Sequence, residues 1–170
     1  REWQKHGHSS LRVSVNISGQ QLRQHNFIET VSNALGACGL ESRYLMLEIT
    51  ESIVMQHSNE ITAIFNELTD RGVRFSIDDF GTGYSSLSYL KNFLIHEIKI
   101  DRSFVKDITV GIDDTAIARA IIAMARSLNL HIVAEGVETE PQLQVLCDEG
   151  CYSMQGNLIS HPIPGGDVLA

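Results

Sequence analysis

Short apolar runs rich in β-branched residues alternate along this chain with stretches in which apolar residues recur every three or four positions. The runs at 11–17, 44–49, 73–77, 97–100, 131–134 and, more weakly, 152–155 predict six strands. Between them, Phe27, Ile28, Val31, Leu35 and Cys38 mark a helical stripe, as do Ile61, Ile64, Phe65 and Leu68. Ile117, Ala120, Ile121, Met124 and Leu128 mark a third, and Leu143, Leu146 and Cys147 a fourth. Gly39, Gly72 and Gly150 each follow such a stretch, where a left-handed residue ends a helix. Nearly continuous hydrophobic strands alternating with amphipathic helices imply an α/β fold with a parallel sheet covered by helices. One repeated unit type favours a modified TIM (β/α)8 barrel over an open sheet, with about six of its eight βα units present.

Charge and cysteine content narrow the classes of function. Against 21 Asp+Glu there are 13 Lys+Arg, a formal net charge of −8 over 170 residues, with no basic run, so the chain is not expected to bind DNA. Any phosphate it handles needs a local device such as metal ions. Three cysteines, Cys38, Cys147 and Cys151, give an odd count without framework spacing; they read as small core hydrophobes of a cytoplasmic protein. No apolar run approaches the roughly 18 residues of a membrane span. The first residues, Arg1-Glu2-Trp3-Gln4, lack the pattern of a signal peptide and an initiator Met, so the chain is expected to be part of something longer.

The polar residues that interrupt the strands gather at their C-terminal ends, the face on which barrel active sites form. They are Asn16, Glu48 with Glu51, the pair Asp78-Asp79, Lys99 with Asp101, Glu135 with Glu138, and Gln155. A ring of so many carboxylates repels itself unless divalent cations occupy its centre. Oxygen ligands from Asn and carboxylates favour Mg²⁺ or Mn²⁺ over zinc. Adjacent Asp78 and Asp79 allow one carboxylate to bridge two metals while its neighbour binds the second. Two cations about 3.5–4 Å apart are a standard device for phosphodiester hydrolysis. Lys99 adds a fixed positive charge, to hold the attacking water or to stabilise the developing phosphorane. The segment Phe80-Gly81-Thr82-Gly83-Tyr84-Ser85-Ser86-Leu87 combines glycines and hydroxyls before an expected helix and reads as a loop closing on the metals. Glu51 is a candidate to anchor it.

These residues carry a resemblance to the EAL-type cyclic-di-GMP phosphodiesterase domain. The matching stretches are Val13-Ser14-Val15-Asn16-Ile17-Ser18, Leu47-Glu48-Ile49-Thr50-Glu51-Ser52 and Asp78-Asp79-Phe80-Gly81-Thr82-Gly83-Tyr84-Ser85-Ser86-Leu87. To these add Ile98-Lys99-Ile100-Asp101-Arg102-Ser103-Phe104-Val105, Val133-Ala134-Glu135-Gly136-Val137-Glu138-Thr139 and Met154-Gln155-Gly156. The resemblance implies a modified barrel that linearises the bacterial second messenger cyclic-di-GMP to 5′-pGpG with two Mg²⁺ or Mn²⁺ ions per site; Ca²⁺, larger and looser in coordination, is expected to inhibit. It makes Asn16, Glu48 and Asp78 ligands of the first metal, with Asp78 bridging and Asp79 on the second, supported by Asp101. Lys99 would contact the catalytic water, and Glu135 would be the general base or a water-mediated metal ligand. Glu138 and Gln155 would complete the pocket floor, and Glu51 would hold the Gly81-Thr82-Gly83 loop, whose neighbouring helix implies a homodimer.

Three positions depart from the family pattern. Leu94-Ile95-His96 stands where Pro-x-Asp is common, and Asn157 where an aromatic often follows Gln-Gly. The Glu-Ala-Leu tripeptide is absent, so residues 1–170 are expected to be the C-terminal two-thirds of the domain, lacking its first two strands. A barrel of about 250 residues would require roughly 70–80 more upstream. The expected setting is a larger signalling protein with a sensory and a diguanylate-cyclase-like domain upstream, cytoplasmic or membrane-anchored through other segments. The alternative is a catalytically inactive cyclic-di-GMP receptor or protein-interaction module.

Overall fold

A computed structural model describes residues 2–55, 58–83, 93–109 and 112–167. The chain divides into two compact units, residues 1–77 with 85–96, and residues 78–84 with 97–170. Strand β3 contributes Arg74–Ile77 to the first and Asp78–Phe80 to the second.

The first unit contains α1 (Glu2–Lys5), β1 (Val13–Asn16), α2 (Gly19–Leu22) and α3 (Phe27–Cys38). A 3-10 turn then leads to β2 (Leu45–Thr50), α4 (Glu51–Val54), α5 (Asn59–Asp70) and the start of β3 (Arg74–Phe80). The sheet order here is β1-β2-β3, and β1 runs parallel to β2 in the register Val13↔Leu45 to Asn16↔Glu48. The periodicity of α5 buries Ile61, Phe65 and Leu68, and Phe65 stacks on Phe75 of β3 at 4.1 Å between ring centroids. Burying rings of this size supplies the first core, at about 3–5 kcal/mol for truncation of one such Phe. Gly39 ends α3 at φ 63°, as its position after the stripe predicted. Beyond Phe27 and Val31 the α3 stripe loses its cover, so Cys38 is exposed and Cys147, on the last helix, only half-buried; Cys151 alone is the core cysteine expected of all three.

The second unit holds the end of β3, β4 (Glu97–Ile100), α6 (Arg102–Lys106), α7 (Ile112–Ser127), β5 (His131–Glu135), α8 (Glu140–Asp148) and β6 (Met154–Gln155). Its sheet order is β3-β4-β5-β6. Glu97↔His131 to Ile100↔Ala134 pair in parallel, as do Ala134↔Met154 and Glu135↔Gln155. Ile98, Ile100, Val105, Ala118, Ala125, Ala134, Val137 and Leu146 are fully buried in it. Thr139 caps α8 in a capping box with Gln142. The buried Gln142 amide also accepts from Glu138 N at 2.9 Å and donates to Lys106 O at 2.9 Å, which fixes the turn after β5 against α6. All six predicted strands form. No helix among the described residues is long and apolar enough to cross a membrane.

Candidate functional site

The predicted site residues fall in two groups, one in each unit. In the first, Asn16 ends β1 directly opposite Glu48 of β2, and Glu48 is buried. Glu51, two residues past the predicted strand, opens α4, and its side chain is also buried.

In the second unit, Asp78 and Asp79 lie near the end of β3, Lys99 within β4, Asp101 just beyond it, Glu135 at the end of β5 and Gln155 at the end of β6. Ile98 and Ile100 flank Lys99 and bury into the core, which holds the intervening ammonium in a site where it is 7% exposed. A charge so placed needs partners. Lys99 Nζ lies 3.1 Å from Asp78 Oδ1 and 2.6 Å from Glu135 Oε1, bridging two strands. Oxygens of Asp78, Asp79 and Glu135 all lie within 4.8 Å of one another.

Asp79 is perturbed by this crowding. Burial pushes its pKa up first, the charges of Asp78 and Asp101 push it further, and it hydrogen-bonds to Asp101. Asp101 is also burdened by burial, but hydrogen bonds from the Ser103 side chain and backbone outweigh that and hold it below its ordinary value. The same crowding thus shifts the two neighbouring carboxyls in opposite directions, Asp79 up and Asp101 down. Asp79 also adopts φ 54°, a left-handed conformation uncommon for a residue with a side chain. Asp78 Oδ1 is buried and accepts no hydrogen bond, its contact with Lys99 being an ion pair only. An acceptor oxygen without a hydrogen bond, beside two further carboxylates, fits the donor set of a hard divalent cation such as Mg²⁺ or Mn²⁺.

The loop after β3 is tied to the same group, because Thr82 Oγ1 donates to Asp79 O at 2.9 Å. Gly81, at φ 99°, permits this turn; a Cβ there would lie 2.9 Å from the Phe104 ring. Residues 84–92, which carry the rest of the motif, the expected helix and the dimer contact, lie outside the described residues. A cleft of about 260 Å³ opens beside Glu135, Glu138 and Gln155, and Arg102 and Asn157 also line it. Its floor depends on Gly156, whose Cβ would fall 2.1 Å from Val137 O. Sequence reasoning assigned no role to Arg102, Ser103 or Gln142. The Asp101-x-Ser103 and Thr139-x-x-Gln142 spacings are helix-capping signatures that mark the last two.

A parallel α/β fold carries a lysine-bridged carboxylate group at its C-terminal strand ends that could hold a metal ion. Residues 1–162 match the family model described as EAL domain, and the chain belongs to that family. It is 46% identical over its full length to the bifunctional diguanylate cyclase/cyclic di-GMP phosphodiesterase MucR of Pseudomonas aeruginosa, spanning 25% of that protein. The solved structure of PaMucR phosphodiesterase in complex with c-di-GMP superimposes with TM-score 0.93 at 45% identity, covering 98% of this chain and 67% of that one. Klebsiella pneumoniae BlrP1, solved with manganese and c-di-GMP, matches with TM-score 0.80 at 30% identity over 86% of this chain and 38% of that one. The fold expected from the sequence, βα units of a TIM-like barrel, is that of these neighbours.

Proposed function

We propose that this chain is the hydrolytic part of a cyclic-di-GMP phosphodiesterase, opening the cyclic dinucleotide to linear 5′-pGpG. The observation that carries the reading is Lys99, buried between Asp78 and Glu135 beside Asp79. The relatives named above support it, among them a phosphodiesterase solved with c-di-GMP. Asp78 and Asp79, with Asp101 in support, would hold two Mg²⁺ or Mn²⁺ ions, and Asn16 and Glu48 would supply further oxygen ligands. Ions held there would supply polarisation of a phosphate oxygen and a lowered pKa for a bound water.

This chain's own residues do the rest. Glu135 Oε1 accepts from Lys99 Nζ and takes the proton of the attacking water, while the ammonium keeps Asp78 and Glu135 together and faces the developing negative charge. Glu138 and Gln155, with Arg102, line the cleft that takes the substrate. Glu51 steadies the Gly81-Thr82-Gly83 loop. Ca²⁺, larger and looser in coordination, inhibits. The setting of this reading is a cytoplasmic, homodimeric domain of a larger signalling polypeptide, with no affinity for DNA. Residues 1–170 form its C-terminal two-thirds, with sensory and cyclase-like domains upstream.

Chromatography of c-di-GMP incubated with the full polypeptide and Mg²⁺ tests this. Glu135→Gln should abolish pGpG formation while leaving nucleotide binding within a few-fold. Full turnover by that variant would refute the role of Glu135, and binding without product in the wild type would instead establish a receptor.

A further inference from the structure

At the opposite, N-terminal ends of the strands in the second unit, three residues stand in line. Glu97 and His131 are the first residues of β4 and β5 and direct register partners. Glu97 Oε2 lies 3.1 Å from His131 Nδ1, and the other ring nitrogen, Nε2, lies 3.1 Å from Ser153 Oγ. Four residue steps along β5 separate His131 from Glu135, roughly 13 Å of strand, so this group is distinct from the carboxylate cluster.

The chemistry of the line is directional. The Glu97 side chain is 12% exposed and faces Nδ1, which places the imidazole proton there. Nε2 is left as an acceptor turned to the Ser153 hydroxyl. Both distances are within the reach that nucleophile, base and orienting carboxylate require. A cleft of about 270 Å³ adjoins them, lined by Leu130, Ile132 and Tyr152 as well as His131, Ser153 and Arg126. Arg126 forms no ion pair among the described residues, so the cleft offers an uncommitted positive charge.

We propose that Ser153, His131 and Glu97 form a second, metal-independent site that hydrolyses small acyl esters bearing an anionic group, which Arg126 binds. Ser153 Oγ adds to the ester carbonyl carbon and its proton passes to His131 Nε2. The ester C–O bond breaks, the alcohol leaves with that proton, and an acyl-serine remains. Water then adds to the acyl carbon and gives a proton to Nε2. That proton returns to Ser153 Oγ as the acid departs. Glu97 is a positioning residue that holds the ring. This site is independent of the phosphodiesterase reading.

The test uses the full polypeptide in EDTA with mono(4-nitrophenyl) succinate as substrate, and a fluorophosphonate that transfers its phosphonyl group to an activated serine with loss of fluoride. Peptide mass spectrometry should find the label on Ser153. Ser153→Ala and His131→Gln should each lower kcat at least tenfold relative to His161→Ala, which controls for hydrolysis by an exposed imidazole. Glu97→Gln should lower kcat with KM unchanged, and Arg126→Gln should raise KM with kcat unchanged. A wild-type protein with no label on Ser153, or a Ser153→Ala rate within twofold of wild type, overturns the proposal, and the labelling result stands even if a variant fails to fold.

Discussion

Replacing Asp79 by Asn separates two consequences of crowding carboxylates, and they have opposite signs. Asn accepts a left-handed conformation as readily as Asp, so the φ of 54° is not disturbed. What changes is charge. Oxygens of Asp79, Asp78 and Glu135 lie within 4.8 Å of one another, where two unit charges repel by about 0.9 kcal/mol at the dielectric of water and about 3.5 kcal/mol at an effective value of 20. Lys99 relieves much of that, leaving an expected gain of about 1 kcal/mol for Asp79→Asn in chelator at pH 8. With Mn²⁺ at a hundred times its Kd, the wild type gains about 2.7 kcal/mol. The variant, one carboxylate ligand short, gains less than about 1 kcal/mol on the same scale, and the ranking inverts.

The pH dependence has a definite sign. The folded pKa of Asp79 is raised above its ordinary 3.8, so in the window between the two values the folded chain binds more protons than the unfolded one. Wild-type stability in chelator therefore falls as pH rises through that window, and Asp79→Asn removes the fall. Urea unfolding followed by circular dichroism, at a series of pH values in EDTA and in Mn²⁺, measures all three effects. A variant less stable than wild type in EDTA, or one that Mn²⁺ stabilises as strongly, would refute the argument.

Lys99→Met leaves Asp78 and Glu135 facing each other without a cation; it should cost about 3 kcal/mol in the urea midpoint and at least 100-fold in turnover. Gly156→Ala should lower Tm by the equivalent of about 3 kcal/mol or more, because the contact at 2.1 Å is with backbone and no rotamer relieves it; an unchanged melting curve would count against the packing of that turn. EDTA should abolish pGpG formation, with Mn²⁺ or Mg²⁺ restoring it and Ca²⁺ not; turnover in Ca²⁺ equal to that in Mg²⁺ would contradict the coordination argued above. In the first unit, Val13 and Val15 of β1 are 38% and 40% exposed beside an apolar cleft of about 330 Å³. On the reading proposed above, a longer polypeptide that includes the preceding part of the domain should bind a hydrophobic dye less than residues 1–170 alone, and equal dye binding would show that this face stays open.

The strands and the long helices were legible because their signals extend over many residues. Parallel strands buried on both faces must be apolar almost throughout, so 44–49 and 73–77 stood out, and α3 and α5 each repeat their stripe over three turns. Helices of four or five residues carry barely one period, so α2, α4 and α6 left no pattern. Their caps did leave one: Ser18 with Gln21 forms a capping box, and Asp101 accepts from Ser103 N. The acids of the site were legible by contrast with their strands. Their energetics were not, because the opposite shifts of Asp79 and Asp101 depend in part on a hydrogen bond between residues 22 positions apart.

The contrast that exposed one end of the strands applies equally to the other. A charged residue within a parallel strand is costly wherever it sits, yet β4 and β5 begin on Glu97 and His131 just as β5 ends on Glu135. Attention to C-terminal ends follows from where barrel active sites gather, and it leaves polar strand starts to be read as solvated edges. Register decides otherwise here: parallel pairing sets Glu97 beside His131, and with Ser153 preceding the two-residue β6 the line of three is complete. Two polar strand starts at matched positions in neighbouring parallel strands are therefore one feature of the sheet, visible only once the register is known.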